Sequence, residues 1–251
     1  DIAGMTATEQ LEKINVATRE LVELQYSTYN RSLVPQLETK GIRIIDAFEE
    51  LTKEQQEFVD KYFEETVYPV LTPMAVDASR PFPLIRNKTL NIAAFLLKKG
   101  EKKKEENYEF ATVQVPGVLP RIIPIPDGEN HSFILLEQII EKNMERLFLN
   151  YEVICAYPYR IMRNADLTID EDEAEDLLQE IQKQLKKRQW GEIIRLEVED
   201  KIDKKLLHFL KEELQIPKDD IYKINGPLDL TFLMKVYGIS TYCHSSGESY
   251  T

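Results

Sequence analysis

The chain has 251 residues, 43% of them hydrophobic and 30% charged, and a formal net charge of −12. This length accommodates one large domain, or one domain with part of another, and supports an ordinary hydrophobic core without disulfides or a structural metal. The negative charge disfavours broad, non-specific binding to nucleic acid or to an anionic membrane, and no apolar run is long enough to span a bilayer.

A long amphipathic helix is predicted at the start of the chain, over residues 7–40. Thr6 and Glu9 have the spacing of a capping box, and apolar residues then recur every three or four positions. Pro35 should kink or interrupt this helix, and Gly41 should end it. Such a helix cannot bury its apolar stripe alone, and the chain opens almost directly on the helix cap, so we expect a fragment.

The remainder alternates between helical and extended patterns. Thr52 and Gln55 form a second capping-box signature, and Pro69 and Pro73 should close the helix that follows. Further helices are predicted at 135–147, 170–188, 204–214 and 227–237, and strands at 90–97, 110–115, 122–125, 153–162, 193–198 and 221–224. The order lacks the strict rhythm of a doubly wound sheet, so the sequence indicates an α+β fold.

A stiff connector lies between the second helix and the strand at 90–97. Pro81 and Pro83 restrict its backbone on both sides of Phe82. We expect Phe82 and Leu84 to pack beneath the sheet while the prolines fix the path of the chain.

The same connector carries three cations, Arg80, Arg86 and Lys88. Cations on a restricted backbone suit recognition of phosphate or carboxylate groups. Salt bridges to neighbouring elements are the alternative interpretation. These three residues are therefore the candidate contacts to phosphate or to a partner subunit.

Catalytic motifs are not evident in the sequence. His131 is predicted in a turn, His208 on a helix face and His244 in the C-terminal tail, and none belongs to a known motif. Cys155 and Cys243 match no metal-ligand spacing, which is typical of a reducing, cytoplasmic setting. The acidic run 170–176 is interpreted as a solvated helix start, and the lysines at 98–104 as a charged hairpin tip. We predict no catalytic, cofactor-binding or metal-binding residue.

Four stretches, in order, resemble the bacterial long-chain polyphosphate kinase family. They are TVYPVLTPMAVDASRPFPLIRNKTLNIAAFLL at 66–97, RNADLTIDEDEAEDLL at 163–178, RQWGEIIRLEVE at 188–199 and NGPLDLTFLMK at 225–235. The resemblance implies that 1–41 end a helical N-terminal domain and that 42–238 form most of a head domain of mixed α+β structure. Residues 239–251 form an irregular tail that departs from the family, as a truncated or shifted reading frame, or residues added by cloning, would produce.

The resemblance also implies an activity for the complete enzyme. The family reversibly transfers the terminal phosphate of ATP to polyphosphate through a phosphohistidine, with magnesium. Those residues lie in two catalytic domains that no part of this sequence matches, so none is carried over here. ATP and magnesium are expected in the complete enzyme, and neither should bind tightly to this chain, which should be inactive alone.

Partners are implied in the same way. The head domain is the family's main dimer contact, so we expect a homodimer, and Arg80 and Arg86 would serve that interface as readily as a phosphate. We expect no nucleic acid partner, no transmembrane segment and a cytoplasmic location, with peripheral membrane association of the complete enzyme. The alternative function is a stand-alone head-fold module that binds a partner or an anion without enzymatic activity.

Overall fold

The computed structural model describes residues 4–76, 82–128, 131–164 and 191–237. Its helices are α1 Ala7–Thr28, α2 Val34–Thr39, α3 Lys53–Tyr62, α4 Leu136–Lys142, α5 Met144–Leu147, α6 Lys204–Glu213 and α7 Leu233–Tyr237. Its strands are β1 Ile42–Ile45, β2 Pro73–Val76, β3 Leu90–Lys98, β4 Tyr108–Gln114, β5 Ile122–Ile125, β6 His131–Leu135, β7 Tyr151–Arg163, β8 Ile193–Glu199 and β9 Ile221–Ile224. The predicted α+β class is confirmed.

Two sheets organise the described residues. The larger has the strand order β2-β4-β3-β7-β8-β9 and is antiparallel except for the β8–β9 pair. The smaller has the order β1-β6-β5, with β1 parallel and β5 antiparallel to β6. Pro124 therefore lies on an edge strand, where its missing N–H group removes no internal ladder bond.

One hydrophobic core joins the two sheets. Ile45 and Ile134 of the smaller sheet pack in the same cluster as Ile92 and Leu96 of the larger sheet, together with Phe63, which follows α3. A second cluster lies between the larger sheet and α6. Since β3 is covered on both faces, it is buried at every position from 91 to 97, which explains its nearly continuous apolar sequence.

The long N-terminal helix is confirmed, including its capping box at Thr6 and Glu9. A π-helical turn, Tyr29–Leu33, interrupts it just before Pro35, and Gly41 ends it with a φ of 75°. The π turn accommodates the hydrogen bond that proline cannot make. The helix therefore continues past the proline instead of stopping there.

This helix packs against β9 and bonds to that strand and to the residues on either side of it. Asn15 and Arg19 both donate to the carbonyl oxygen of Asp219. Arg19 also donates to the carbonyl oxygen of Ile221. Asn30 donates to the carbonyl oxygen of Asn225 at 2.7 Å. The opposite face of α1 is exposed to solvent: Leu11, Ile14, Leu21 and Leu24 are each at least 60% exposed. One face of the predicted stripe thus has no partner in the described part of the chain.

Several predicted elements need correction. Three short strands, β1, β2 and β6, were not predicted. The helix expected at 135–147 is divided at Asn143 into α4 and α5, and the one expected at 227–237 is α-helical only from Leu233. Asp229 has a left-handed φ of 59°, which excludes an earlier helical start. The helix predicted at 170–188 and the tail 239–251 lie outside the described residues.

Candidate functional site

The basic loop, residues 84–89, carries Arg86 and Lys88 and is anchored to β7. The Lys88 backbone N–H donates to the carbonyl oxygen of Ile161 at 2.9 Å. The Arg160 Nε donates to the Lys88 carbonyl oxygen at 3.2 Å. With both backbone groups bonded, Lys88 holds a left-handed φ of 61°, which is uncommon for a residue with a side chain.

A second arginine of β7 fixes the start of the basic loop. Arg163 donates through Nε and Nη2 to the carbonyl oxygen of Ile85, at 3.2 Å each. Its backbone N–H donates to Oδ1 of Asn87 at 3.0 Å. The backbone of the basic loop is thus bonded at both ends to one strand, as the prediction of a stiff connector requires.

The predicted cations of this connector are exposed where they can be described. Arg86 and Lys88 are exposed, and neither has a salt-bridge partner within the described ranges. The salt-bridge interpretation therefore finds no support for these two side chains. Arg80 lies outside the described residues.

Only half of the predicted packing beneath the sheet is found. Phe82 is half-buried and stacks on Phe110, with 5.2 Å between ring centroids, and Phe209 of α6 lies beside both rings. Leu84, in contrast, is 41% exposed, so that prediction is wrong. Ile85, only 2% exposed, occupies the inward position instead.

A buried ionic network lies beneath the basic loop. Arg160 Nη1 is 3.1 Å from Glu197 Oε2, and Arg160 Nη2 is 3.4 Å from Asp229 Oδ2. Arg195 contacts the other oxygen of Glu197 at 2.7 Å and places its guanidinium 3.9 Å from the centre of the Tyr222 ring. Because charges out of water persist only when they are paired, this network fixes β7, β8 and Asp229 relative to one another.

A second buried pair joins the smaller sheet to the segment before α7. Arg121 Nε donates to both oxygens of Glu137 at 3.1 Å, and its other nitrogens reach the carbonyl oxygens of Leu228 and Asp229. The guanidinium also lies 5.1 Å from the centre of the Phe232 ring. Neither buried network was predicted, since each joins residues that are distant in sequence.

A cleft of about 420 Å³, here called the acidic cleft, opens between the two sheets. Its charged lining consists of Asp46, Glu49, Glu141, Glu145, Glu199, Lys142 and Lys201. Burial, and then repulsion from Glu199, raise the pKa of Glu141 to about 8. Burial also raises the pKa values of Asp46 and Glu199.

The remaining nucleophilic and titratable candidates are dispersed. His131 is the first residue of β6, not part of a turn, because its backbone N–H bonds to the carbonyl oxygen of Gly41. His208 is exposed on α6, and burial raises the pKa of Cys155 to about 11. His244, Cys243 and the acidic run 170–176 lie outside the described residues. Within the described ranges no group of three or more His, Cys, Asp or Glu is arranged to hold a metal ion.

The hairpin formed by β3 and β4 confirms the interpretation of the lysines at 98–104. Leu97 pairs with Tyr108, so the charged segment forms the tip. Lys103 contacts Glu152 at 2.5 Å, and Lys104 contacts Glu106 at 3.2 Å. Of the helices that the structure describes, none is both long and apolar enough to span a bilayer.

Comparison with known proteins gives matches along nearly the whole chain. The family model "Polyphosphate kinase middle domain" matches residues 54–236, and "Polyphosphate kinase N-terminal domain" matches residues 1–45. The polyphosphate kinase of Bacillus anthracis is 46% identical over 94% of this chain and 34% of its own length. That of Lactiplantibacillus plantarum is 48% identical over 94% of this chain and 32% of its own length.

A solved structure shares the fold. The crystal structure of polyphosphate kinase from Porphyromonas gingivalis matches with a TM-score of 0.71 and 22% identity, over 91% of this chain and 33% of that one. This chain thus spans about a third of the length of the relatives that it matches. Since the middle-domain match alone covers well over half of its residues, the chain belongs to the polyphosphate kinase family.

Proposed function

We propose that the chain is the assembly portion of a polyphosphate kinase, which reversibly transfers the terminal phosphate of ATP to polyphosphate. The observation that carries this proposal is the match to the N-terminal and middle domains over about a third of each relative's length. The phosphohistidine and the magnesium-binding groups implied by the resemblance belong to the remaining two thirds. The chain itself supplies a rigid α+β body and an exposed basic loop.

The activity proposal is tested with the purified 251-residue chain. We expect no polyphosphate from ATP and magnesium, because phosphoryl transfer requires a positioned nucleophile and metal-neutralised phosphates that this portion does not supply. The complete Bacillus anthracis enzyme, assayed in parallel, is the positive control. Synthesis by the chain alone at a comparable rate would refute the proposal.

For the basic loop we propose a role in self-association. Two exposed cations on a backbone bonded at both ends require little further ordering of the main chain on binding, which favours them as contact residues. The double variant Arg86→Ala with Lys88→Ala should raise the dimer dissociation constant about tenfold in sedimentation velocity. The melting temperature should change little, since neither side chain is buried.

The second candidate function, anion binding, rests on the same two cations, which have no salt-bridge partner in the part of the chain that the structure describes. If they contact phosphate instead, the double variant should lose polyphosphate binding, and the unmodified chain should bind with a strong salt dependence. Lys53→Ala removes an exposed cation from α3 and serves as the control in both assays. Unchanged association together with unchanged polyphosphate binding would remove both roles, and Arg80→Ala extends the test to the third predicted cation.

A further inference from the structure

The outward face of α1 carries an apolar stripe that has no partner in the part of the chain that the structure describes. Residues three and four positions apart share one face of a helix. The members of this α1 stripe are Leu11, Ile14, Ala17, Leu21 and Leu24, and all of them are exposed. Soluble proteins rarely leave a row of large apolar side chains in water unless another surface covers it. The α1 stripe is therefore a candidate contact surface.

The α1 stripe is symmetric about its own midpoint, which lies between positions 17 and 18. Leu11 and Leu24 are equally distant from that midpoint, and so are Ile14 and Leu21. When a second copy of the helix runs antiparallel to the first, Leu11 therefore meets Leu24, and Ile14 meets Leu21, on both sides of a two-fold axis. The small side chain of Ala17 lies next to the axis, where it lets the two backbones approach. The stripe thus complements itself.

Two charges beside the α1 stripe favour the antiparallel direction. Lys13 and Glu20 are seven positions apart, so they share one edge of the stripe, and both are exposed without a salt-bridge partner among the described residues. An antiparallel two-fold axis brings the same edge of each helix together, so that Lys13 of each copy lies beside Glu20 of the other. A parallel pairing would instead bring that edge against the opposite one, which carries the uncharged Thr18 and Gln25.

We propose that the α1 stripe binds the α1 stripe of a second copy of this chain, antiparallel and about a two-fold axis. The contact removes the leucines and the isoleucine of both copies from water and forms two Lys13–Glu20 ion pairs. The stretch from Leu11 to Leu24 rises about 20 Å, so the contact is small and the dimer exchanges with the monomer. It does not involve the basic loop, and a chain with two separate two-fold contacts joins dimers into larger assemblies.

Cysteine cross-linking of the intact 251-residue chain tests the antiparallel pairing. Ala17→Cys places the new thiol next to the two-fold axis, so mild oxidation should give a disulfide-linked dimer on a non-reducing gel. Gln25→Cys places the two thiols about 22 Å apart along the paired helices, which is beyond the reach of a disulfide. It should cross-link no more than the unmodified chain, which carries Cys155 and Cys243. Efficient cross-linking through Gln25→Cys, or none through Ala17→Cys, would overturn the proposal.

Sedimentation velocity measures the contribution of the apolar side chains. Leu21→Asp should raise the dimer dissociation constant about tenfold, because it places a carboxylate opposite Ile14 of the second copy. Val16→Asp is the matched control, since Val16 is 58% exposed on the same helix but lies outside the α1 stripe, and it should leave the dissociation constant unchanged. Both positions are exposed, and circular dichroism should show the same fold for both variants. An equal effect of the two changes would contradict the assignment to the α1 stripe.

Charge reversal identifies the second copy as the partner. Lys13→Glu alone should raise the dissociation constant about fivefold, and adding Glu20→Lys should restore it, because the exchanged charges can pair again. The double variant Arg86→Ala with Lys88→Ala should leave the Ala17→Cys cross-link unchanged, so that a failure of the α1 pairing is distinguished from a failure of the role proposed for the basic loop. A dissociation constant that Glu20→Lys does not restore would overturn the choice of a second copy as the partner.

Discussion

Individual charged residues in this molecule differ mainly in how far they are removed from water. The Arg121–Glu137 pair is 16% and 4% exposed, whereas Arg43 and Glu50 form a pair in which both side chains are close to half exposed. A buried pair that loses one partner leaves an uncompensated charge, but an exposed pair is screened by solvent. Similar salt bridges should therefore have very different effects on stability.

Arg121→Ala tests this difference. We expect it to lower the free energy of unfolding by about 3 kcal/mol, because Glu137 and the carbonyl oxygens of Leu228 and Asp229 all lose their donor. Urea denaturation measures the change. The matched control Arg43→Ala should cost about 0.5 kcal/mol or less. Similar losses in the two variants would show that the burial of Arg121 does not determine its contribution.

Glu141 makes a pH-dependent contribution to global stability. Its pKa of about 8 in the folded chain exceeds the ordinary value of 4.5, so folding favours the protonated form. The resulting stabilisation is complete below pH 4.5 and is lost as the pH rises towards 8. Glu141→Gln should therefore raise the free energy of unfolding at pH 8 by about 4 kcal/mol and leave it nearly unchanged at pH 4.5. Urea titrations at both pH values, with Glu145→Gln as control, measure the difference.

For individual residues, the sequence identifies the exposed cations of the basic loop as candidate contacts but does not identify the arginines that are buried. Arg86 and Lys88 follow a proline pair, a local signal of a restricted loop. In the sequence, Arg121 and Arg160 lie in or beside strands and resemble ordinary surface residues. Their burial was not predicted because both contact Asp229, which is distant from them in sequence. No local pattern distinguishes a charge that will be buried from one that will remain in water.

Among the elements, the helix starts marked by capping boxes were predicted best, since their signals are local. Both capping boxes form as predicted, the second through Thr52 and Gln55. The strands β1, β2 and β6 have only four or five residues each, and their pairing joins distant segments, for instance β1 with β6. Length alone does not explain why they were missed, since β5 and β9 also have four residues and were predicted. The conformation of β1, β2 and β6 is decided by tertiary pairing.

The end of α6 offers a prediction for a single element. Gln215 follows the helix with a left-handed φ of 52°, where a side chain is strained and glycine is not. Gln215→Gly should raise the free energy of unfolding by about 1 kcal/mol, measured by urea denaturation. Gln215→Ala retains a Cβ and should change stability little. A destabilised glycine variant would indicate that the glutamine side chain contributes more than its backbone strain costs.

The whole molecule is expected to unfold as one unit, because both sheets contribute to the same core. Ile134 of β6 is fully buried in the cluster that also contains Ile92 and Leu96 of β3. Ile134→Ala should cost about 3 kcal/mol by loss of contacts and creation of a cavity. Circular dichroism and hydrogen exchange of β3 and β6 should report a single shared transition. Two separate transitions would show that the sheets fold independently.

Fold class follows from the sequence at this scale, whereas the arrangement of the sheets does not. The alternation of helical and extended segments indicated α+β structure, and the structure confirms it. The sequence pattern did not predict two sheets, because two of the three strands of the smaller sheet, β1 and β6, were not predicted. The domain boundaries at 41/42 and 238/239 remain predictions. They are based on the family resemblance and on the change in composition, not on packing in the structure.

The docking of α1 bears on where this protein can be divided. Its side chains bond to the carbonyl oxygen of Ile221 in β9 and to those of Asp219 and Asn225 on either side of that strand, and Tyr26 and Tyr29 pack beside Gly226. A head domain produced from residue 42 onwards would carry that edge uncovered, and an open strand edge recruits strands from other molecules. Such a shortened protein should form aggregates through sheet extension unless the helix is retained. The N-terminal helix thus shields the sheet edge from other molecules, and a head domain that is produced separately must include this helix.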